Sequence, residues 1–153
     1  MEKPFIVGFS CYMWNIDYNL SLAKAIKAEW PDCVIALGGP QVPNDFEILE
    51  EYDFVDILMH GEGEVTFYEL LKALAEDKKL KNVHNISYRD NGTLTRTEPL
   101  RLRRWKTSRA PIQRAYSTAS STIPPIKTFN LIPFLKRPAD ALTTPAFIVA
   151  GQE

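Results

Sequence analysis

Residues 33–42 read Cys-Val-Ile-Ala-Leu-Gly-Gly-Pro-Gln-Val. Cys33 to Leu37 are apolar without alternation and stop at Gly38-Gly39-Pro40, the signature of a strand buried on both faces that ends in a tight loop. Upstream, Leu20, Ala23, Ile26 and Trp30 recur at helical spacing between Ile16 and Pro31, which predicts a helix over 16–30 with Asn15 as its N-cap. Before that helix, Phe5 to Phe9 reads as another buried strand, bounded by Pro4 and Ser10. Downstream, a short helix over 46–52 is expected with Asn44 or Asp45 as its cap. A third strand over 54–59 ends at Gly61-Glu62-Gly63-Glu64, and an amphipathic helix covers 65–76. Ile86 to Arg89, Asp90-Asn91-Gly92 and Thr93 to Arg96 then form a hairpin with an Asn-Gly turn, a small appendage to the sheet.

Strands alternating with helices, with the strands apolar throughout, predict an α/β fold with a parallel sheet covered on both faces. Right-handed crossovers point all three strands the same way, so their Ser- or Gly-rich ends gather at one edge. The carboxyl edge of such a sheet is where ligands bind.

The chain has 153 residues, 45% hydrophobic and 24% charged, with a net charge of −1; that suits one ordinary domain. No apolar run reaches the roughly 20 residues that span a bilayer, and no signal peptide stands at the N-terminus. A cytoplasmic setting is the default, with no membrane and no nucleic-acid partner. The charge is unevenly placed. Residues 1–100 carry nine Lys/Arg against seventeen Asp/Glu, whereas 101–153 carry nine against two. The second part also holds six of the eleven prolines. A boundary near Leu100 follows, with 1–100 as the α/β domain and 101–153 as a basic, Pro-rich and irregular tail. Within that tail, the basic cluster 101–109 reads as solvated, since no RNA-binding motif accompanies it.

The loop motifs are the candidate chemistry. Glycine pairs let a ligand approach the backbone, and free N–H groups at a helix start favour a phosphate or polar edge; glycines after strands also simply make turns, and residue types alone leave both readings open. Glu62 and Glu64 are paired carboxylates, yet acidic residues at a helix start are also explained by the macrodipole. His60 has no second metal ligand at useful spacing, and a hydrogen-bonded strand-end histidine is the expectation. Cys11 and Cys33 cannot make a disulfide framework or a cluster by themselves, and Cys11 is expected to be a neutral thiol. Tyr12 and Trp14 either wall a planar ligand or fill the core. No catalytic residue and no metal-ligand set emerges.

Four segments, VGFSCYMWNIDYNLSLAKAIK (7–27), CVIALGGPQV (33–42), VDILMHGEGEVTFYELLKAL (55–74) and ISYRDNGTLTRTEP (86–99), resemble the cobalamin-binding domain of cobalamin-dependent radical S-adenosylmethionine enzymes. The resemblance covers about residues 4–99. It implies a flavodoxin-like, Rossmann-like parallel sheet holding cobalamin at its carboxyl edge. The cofactor-binding residues it implies are Gly8, Ser10, Cys11, Tyr12, Trp14 and Asn15 from the first strand and loop; Leu37, Gly38, Gly39 and Pro40 from the second; and Gly61, Glu62, Gly63 and Glu64 from the third. Gly38 and Gly39 are expected to leave room for the nucleotide tail, and Trp14 with Asn15 to be structural.

The departures from the family pattern are specific. The chain begins at what resembles the third strand, so the sheet is expected to be incomplete. The Asp-x-His-x-x-Gly axial motif is absent, so any cobalamin is expected to bind without an axial histidine from this chain. No Cys-x-x-x-Cys-x-x-Cys motif is present, so the [4Fe–4S] cluster and S-adenosylmethionine belong to a full-length relative, and this chain is not a complete enzyme alone. A radical S-adenosylmethionine barrel, on another chain or in a longer protein, is the implied partner. The Phe5–Phe9 strand should present an open edge, filled by self-association or by residues 129–135 or 146–150 of the tail. The alternatives are a non-catalytic α/β interaction module whose glycines only shape turns, and a small flavodoxin-like response or nucleotide module, weakened by the lack of an acidic cluster at the first strand end.

Overall fold

The computed structural model describes residues 3–100 and, for the backbone, 147–151. The basic cluster 101–109, the Ser/Thr stretch 117–122 and the apolar island 129–135 lie outside the described residues. The elements are β1 (Pro4–Ser10), α1 (Ile16–Glu29), β2 (Val34–Gly38), α2 (Glu47–Glu51), β3 (Ile57–Met59), α3 (Gly63–Ala75), a 3-10 turn at Leu80–Asn82, β4 (Ile86–Asp90), β5 (Thr93–Arg96) and β6 (Phe147–Gly151). Among the described residues they build one sheet of order β5-β4-β3-β2-β1-β6. β1, β2 and β3 are parallel; the hairpin joins β3 antiparallel through Met59 opposite Ile86.

Side-chain alternation along the central strands makes two cores. Val7, Phe9, Ile35, Leu37 and Leu58 face α1 and α2, where Leu20, Ala23, Ile26, Ile48 and Leu49 close over them. Ile6, Ala36, Ile57 and Met59 face α3, against Phe67, Leu70 and Leu71. Each fully buried aliphatic side chain contributes about 1.5–3 kcal/mol, so the apolar runs explain why both sheet faces are covered. At the hairpin, Asn91 and Gly92 have φ of 48° and 84°, the two left-handed residues of a type I′ turn.

Three sequence expectations are corrected in detail. Asn15 makes no side-chain cap bond on α1; its amide is spent on the preceding loop. β3 begins at Ile57, not at residue 54, because the Asp56 carboxylate already accepts the Ile35 N–H and the Lys27 ammonium, both at 2.7 Å. The hairpin is part of the sheet rather than appended to it. The open edge of β1 is taken by β6 of the same chain, antiparallel, with Phe9 opposite Phe147 and a register shift between Pro4 and Ile6. Residues 147–151 thus supply the tail strand expected as one of the two covers for this edge, and self-association through β1, the other, would have to displace it.

Candidate functional site at the carboxyl edge of the sheet

The parallel strands end at Ser10, Gly38 and Met59, and the loops that follow lie along one edge. Two of them are tied into a single wall. The Cys11 N–H donates to the Gly38 carbonyl at 2.6 Å, and the Gln41 N–H donates to the Cys11 carbonyl at 3.1 Å. The first loop is held from below by two asparagines. Asn15 accepts the Tyr12 N–H at 2.8 Å and donates to the Ser10 carbonyl, which Asn19 also reaches. Asn19 is fully buried, was not singled out by sequence, and its Oδ1 has no hydrogen-bond partner among the described residues.

Gly39 explains itself through this wall. It has φ of +105°, and a Cβ there would lie 2.6 Å from the Cys11 carbonyl oxygen and 2.9 Å from its nitrogen. The space a Gly39 side chain would take is occupied by the chain's own backbone. A Cβ at Gly38 would meet the Met59 side chain at 3.0 Å. The third loop differs: Gly61, at φ +69°, and Gly63 have nothing within 4 Å of a built Cβ. Open space therefore lies on the Gly61–Gly63 side.

The fourteen sequence-derived residues divide accordingly. Gly8 sits inside the sheet between Ala36 and Ile148. Leu37 and Cys11 are fully buried, and burial pushes the Cys11 thiol up, against a smaller opposing pull from Asn19. Asn15 and Gly38 are buried. Tyr12 and Trp14 are exposed and stack on one another, ring centroids 4.9 Å apart at 9°, so they do not fill the core. Ser10, Gly39, Pro40, Gly61, Glu62, Gly63 and Glu64 keep accessible surface along the edge.

His60 follows β3 directly. It is 7% exposed, its Nε2 lies 2.7 Å from the Ser87 hydroxyl, and its Nδ1 is buried with no hydrogen-bond partner among the described residues. Burial, then the positive charge of Arg96, hold the imidazole below its ordinary value, so the neutral ring is favoured. Asn85, with φ of 56°, knits the surrounding backbone: its carbonyl accepts the His60 N–H, its amide donates to Thr66 at the start of α3, and its Oδ1 accepts the Leu100 N–H. His84 is held against Glu69 at 3.1 Å. Among the described residues no group of three or more His, Cys, Asp or Glu could hold a metal ion, and no helix is long and apolar enough to cross a membrane.

A cobalamin tail can be tested against this geometry. Gly61 and Gly63, with nothing within 4 Å of a built Cβ, leave the third loop open to a group approaching the edge. The Gly38-Gly39 wall fits a contact along its surface rather than an insertion.

A family model for the B12 binding domain matches residues 1–71. The cobalamin-dependent radical SAM methyltransferase TokK of Streptomyces tokunonensis is 40% identical over 76 residues, 49% of this chain and 11% of that protein. A 2-(S-pantetheinyl)-carbapenam-3-carboxylate methyltransferase of Streptantibioticus cattleyicolor is 35% identical over 91 residues, 58% of this chain and 13% of that protein. An uncharacterised methyltransferase of Pyrococcus horikoshii is 31% identical over 140 residues, 91% of this chain and 27% of that protein. Among solved structures, the cobalamin-dependent S-adenosylmethionine radical enzyme OxsB, with aqua-cobalamin and S-adenosylmethionine bound, superposes with a TM-score of 0.54 at 25% identity, over 65% of this chain and 14% of that one. The matches thus span only 11% to 27% of the curated relatives.

Proposed function

We propose that this chain, which carries a B12-binding domain in residues 1–71, binds cobalamin at the carboxyl edge of its sheet and serves a radical S-adenosylmethionine methyltransferase. The observation that carries the reading is the edge itself: three parallel strand ends in line, two loops locked into a wall, and open space at Gly61 and Gly63. Ser10, Tyr12, Trp14, Gly39 and Pro40 form the wall's contact surface, and Gly61, Glu62, Gly63 and Glu64 line the open side. Gly8, Cys11, Asn15, Leu37 and Gly38 act from beneath, by fixing the strand ends and loops. When bound, cobalamin supplies a cobalt centre able to carry a methyl group; this chain's residues bind and orient it. Neither histidine is offered as an axial ligand, since His60 is buried on Ser87 and His84 is held by Glu69.

The [4Fe–4S] cluster and S-adenosylmethionine would be held by a radical S-adenosylmethionine barrel, elsewhere in the same protein or on another chain. In this reading residues 1–100 are the cofactor domain and 101–153 a tail whose strand β6 supports β1. Two buried, unbridged cysteines support a reducing, cytoplasmic setting.

Hydroxocobalamin titrated into the chain and followed by absorbance tests the proposal: weak but saturable binding, complete at millimolar cobalamin, is expected. A second reading, an interaction module without cofactor, draws on the exposed Tyr12, Met13, Trp14 and Tyr18; an unchanged cobalamin spectrum would favour it.

A further inference from the structure

We infer that Arg96 is a positioning residue of the carboxyl-edge site: from the β4–β5 hairpin it fastens Asn44 and so fixes where the second loop, residues 39–46, stands against the first. The inference rests on the cobalamin reading above and adds a residue from beyond 71, where the match to the B12 binding domain stops.

The second loop runs from the end of β2 to the start of α2, and its two halves are held differently. The first half is sewn to the first loop by the Gln41 N–H on the Cys11 carbonyl. It turns on itself through the Val42 N–H on the Gly39 carbonyl, both bonds being 3.1 Å. Over the second half, Val42 and Phe46 rest partly buried on the core, and such apolar contact is non-directional. Among the described residues, the hydrogen bonds that tie this half to a distant element come from Arg96. Its guanidinium donates to the Asn44 carbonyl and, at 3.4 Å, to the Asn44 side-chain oxygen. Two donors of one planar group on one residue constrain orientation as well as distance.

Strand pairing puts this contact at the site. β4 runs back from the carboxyl edge, with Met59 opposite Ile86, and β5 returns to that edge, with Arg96 opposite Ser87. By alternation Ser87, Arg89, Leu94 and Arg96 share one face, the face on which Leu94 packs against the core that includes Ile48 and Leu49 of α2. Two guanidiniums therefore reach the α2 segment. Arg96 takes Asn44 ahead of the helix, and its positive charge is also felt by His60, which places it near both the second and the third loop. Arg89 pairs with Leu94, farther from the edge, and donates to the Leu49 carbonyl within the helix. The two contacts are alike in chemistry and differ in place. A hairpin that only stiffens the domain uses both in the same way, whereas positioning of the loop uses Arg96.

Arg96→Met and Arg89→Met keep an apolar stem and remove every donor, and Arg96→Lys keeps a cationic donor without the planar fork. The full chain and these variants are titrated with hydroxocobalamin, unfolded in urea, and compared by amide exchange without ligand. Expected for Arg96→Met is a loss of about two- to fivefold in affinity, the worth of one exposed charged contact, with faster exchange confined to residues 41–46. Arg96→Lys should recover part of that loss. Arg89→Met should leave affinity and the exchange of 41–46 unchanged, whatever it does to the urea midpoint. Equal weakening by Arg96→Met and Arg89→Met, or affinity that simply follows the urea midpoint, gives the hairpin a structural role alone and overturns the inference. Unaltered binding by Arg96→Met overturns it too, and each of these results leaves the cobalamin reading standing. If the unsubstituted chain takes up no cobalamin at millimolar concentration, the cobalamin reading fails and the inference fails with it.

Discussion

Alanine at Gly39, Gly61 and Gly63 should give three different outcomes, because the structure assigns each glycine a different reason. At Gly39 a methyl group would lie 2.6 and 2.9 Å from Cys11 backbone atoms that cannot swing away, at φ +105°. Strain at such a φ costs about 1–3 kcal/mol and overpacking a further 1–3 kcal/mol or so, together about 4 kcal/mol at mid-range. That is a large share of the roughly 5–15 kcal/mol that holds a domain folded. The Cys11–Gly38 and Gln41–Cys11 hydrogen bonds would be disturbed with it. At Gly61, with φ +69° and nothing near, only the left-handed backbone is penalised, by about 1–2 kcal/mol. At Gly63, in the first turn of α3 with neither constraint, alanine should change stability by no more than about 0.5 kcal/mol, in the stabilising direction. Urea unfolding followed by far-ultraviolet circular dichroism reads all three. If Gly39→Ala is no worse than Gly61→Ala, the close approach of the first two loops is wrong.

Three further outcomes follow from the same structure. Cys11 and Cys33 are fully buried, and burial pushes the Cys33 thiol to about 11, so a thiol reagent at pH 8 should leave both unlabelled until denaturant is added; prompt labelling of either contradicts the packing. Burial and Arg96 hold the His60 imidazole below 6.5, so as pH falls below about 6.5 the unfolded chain takes up a proton first. Stability due to this residue is full above that pH and declines until the folded value is passed, and His60→Gln should flatten that part of the profile. Deleting residues 146–153 removes β6 and bares the backbone of β1, so light scattering should show concentration-dependent self-association; a shortened chain that stays monomeric would mean the edge is protected otherwise.

The order of the parallel strands and long helices was legible because β1, β2 and β3 are apolar runs followed by Ser- or Gly-rich loops, and each long helix keeps one apolar face. The gathering of the three loops at the carboxyl edge followed from topology alone. What sequence could not supply is how polar side chains are spent. Asn15 reads as a helix cap, since its type and position suit one, yet its amide braces the Ser10–Tyr12 loop. Asp56 reads as part of a strand, though its carboxylate fastens Lys27 and Ile35. Asn19 and Asn85 carry no motif, and only the folded chain brings them to strand ends far away in sequence. Gly39 shows the same limit: a missing Cβ is visible in sequence, but the backbone that needs its absence, Cys11, is not. His60 was legible as a hydrogen-bonded histidine at a strand end, and its second nitrogen was not.

Amide hydrogen exchange of the full chain with and without hydroxocobalamin locates the site. Slower exchange on cobalamin addition is expected in residues 10–15, 38–42 and 60–66, with the start of β4 following through Asn85, and no change at the opposite, amino-terminal ends of the strands. Protection confined to those opposite ends, or an unaltered pattern at about 1 mM cobalamin, where even binding worth about −4 kcal/mol would register, would contradict it.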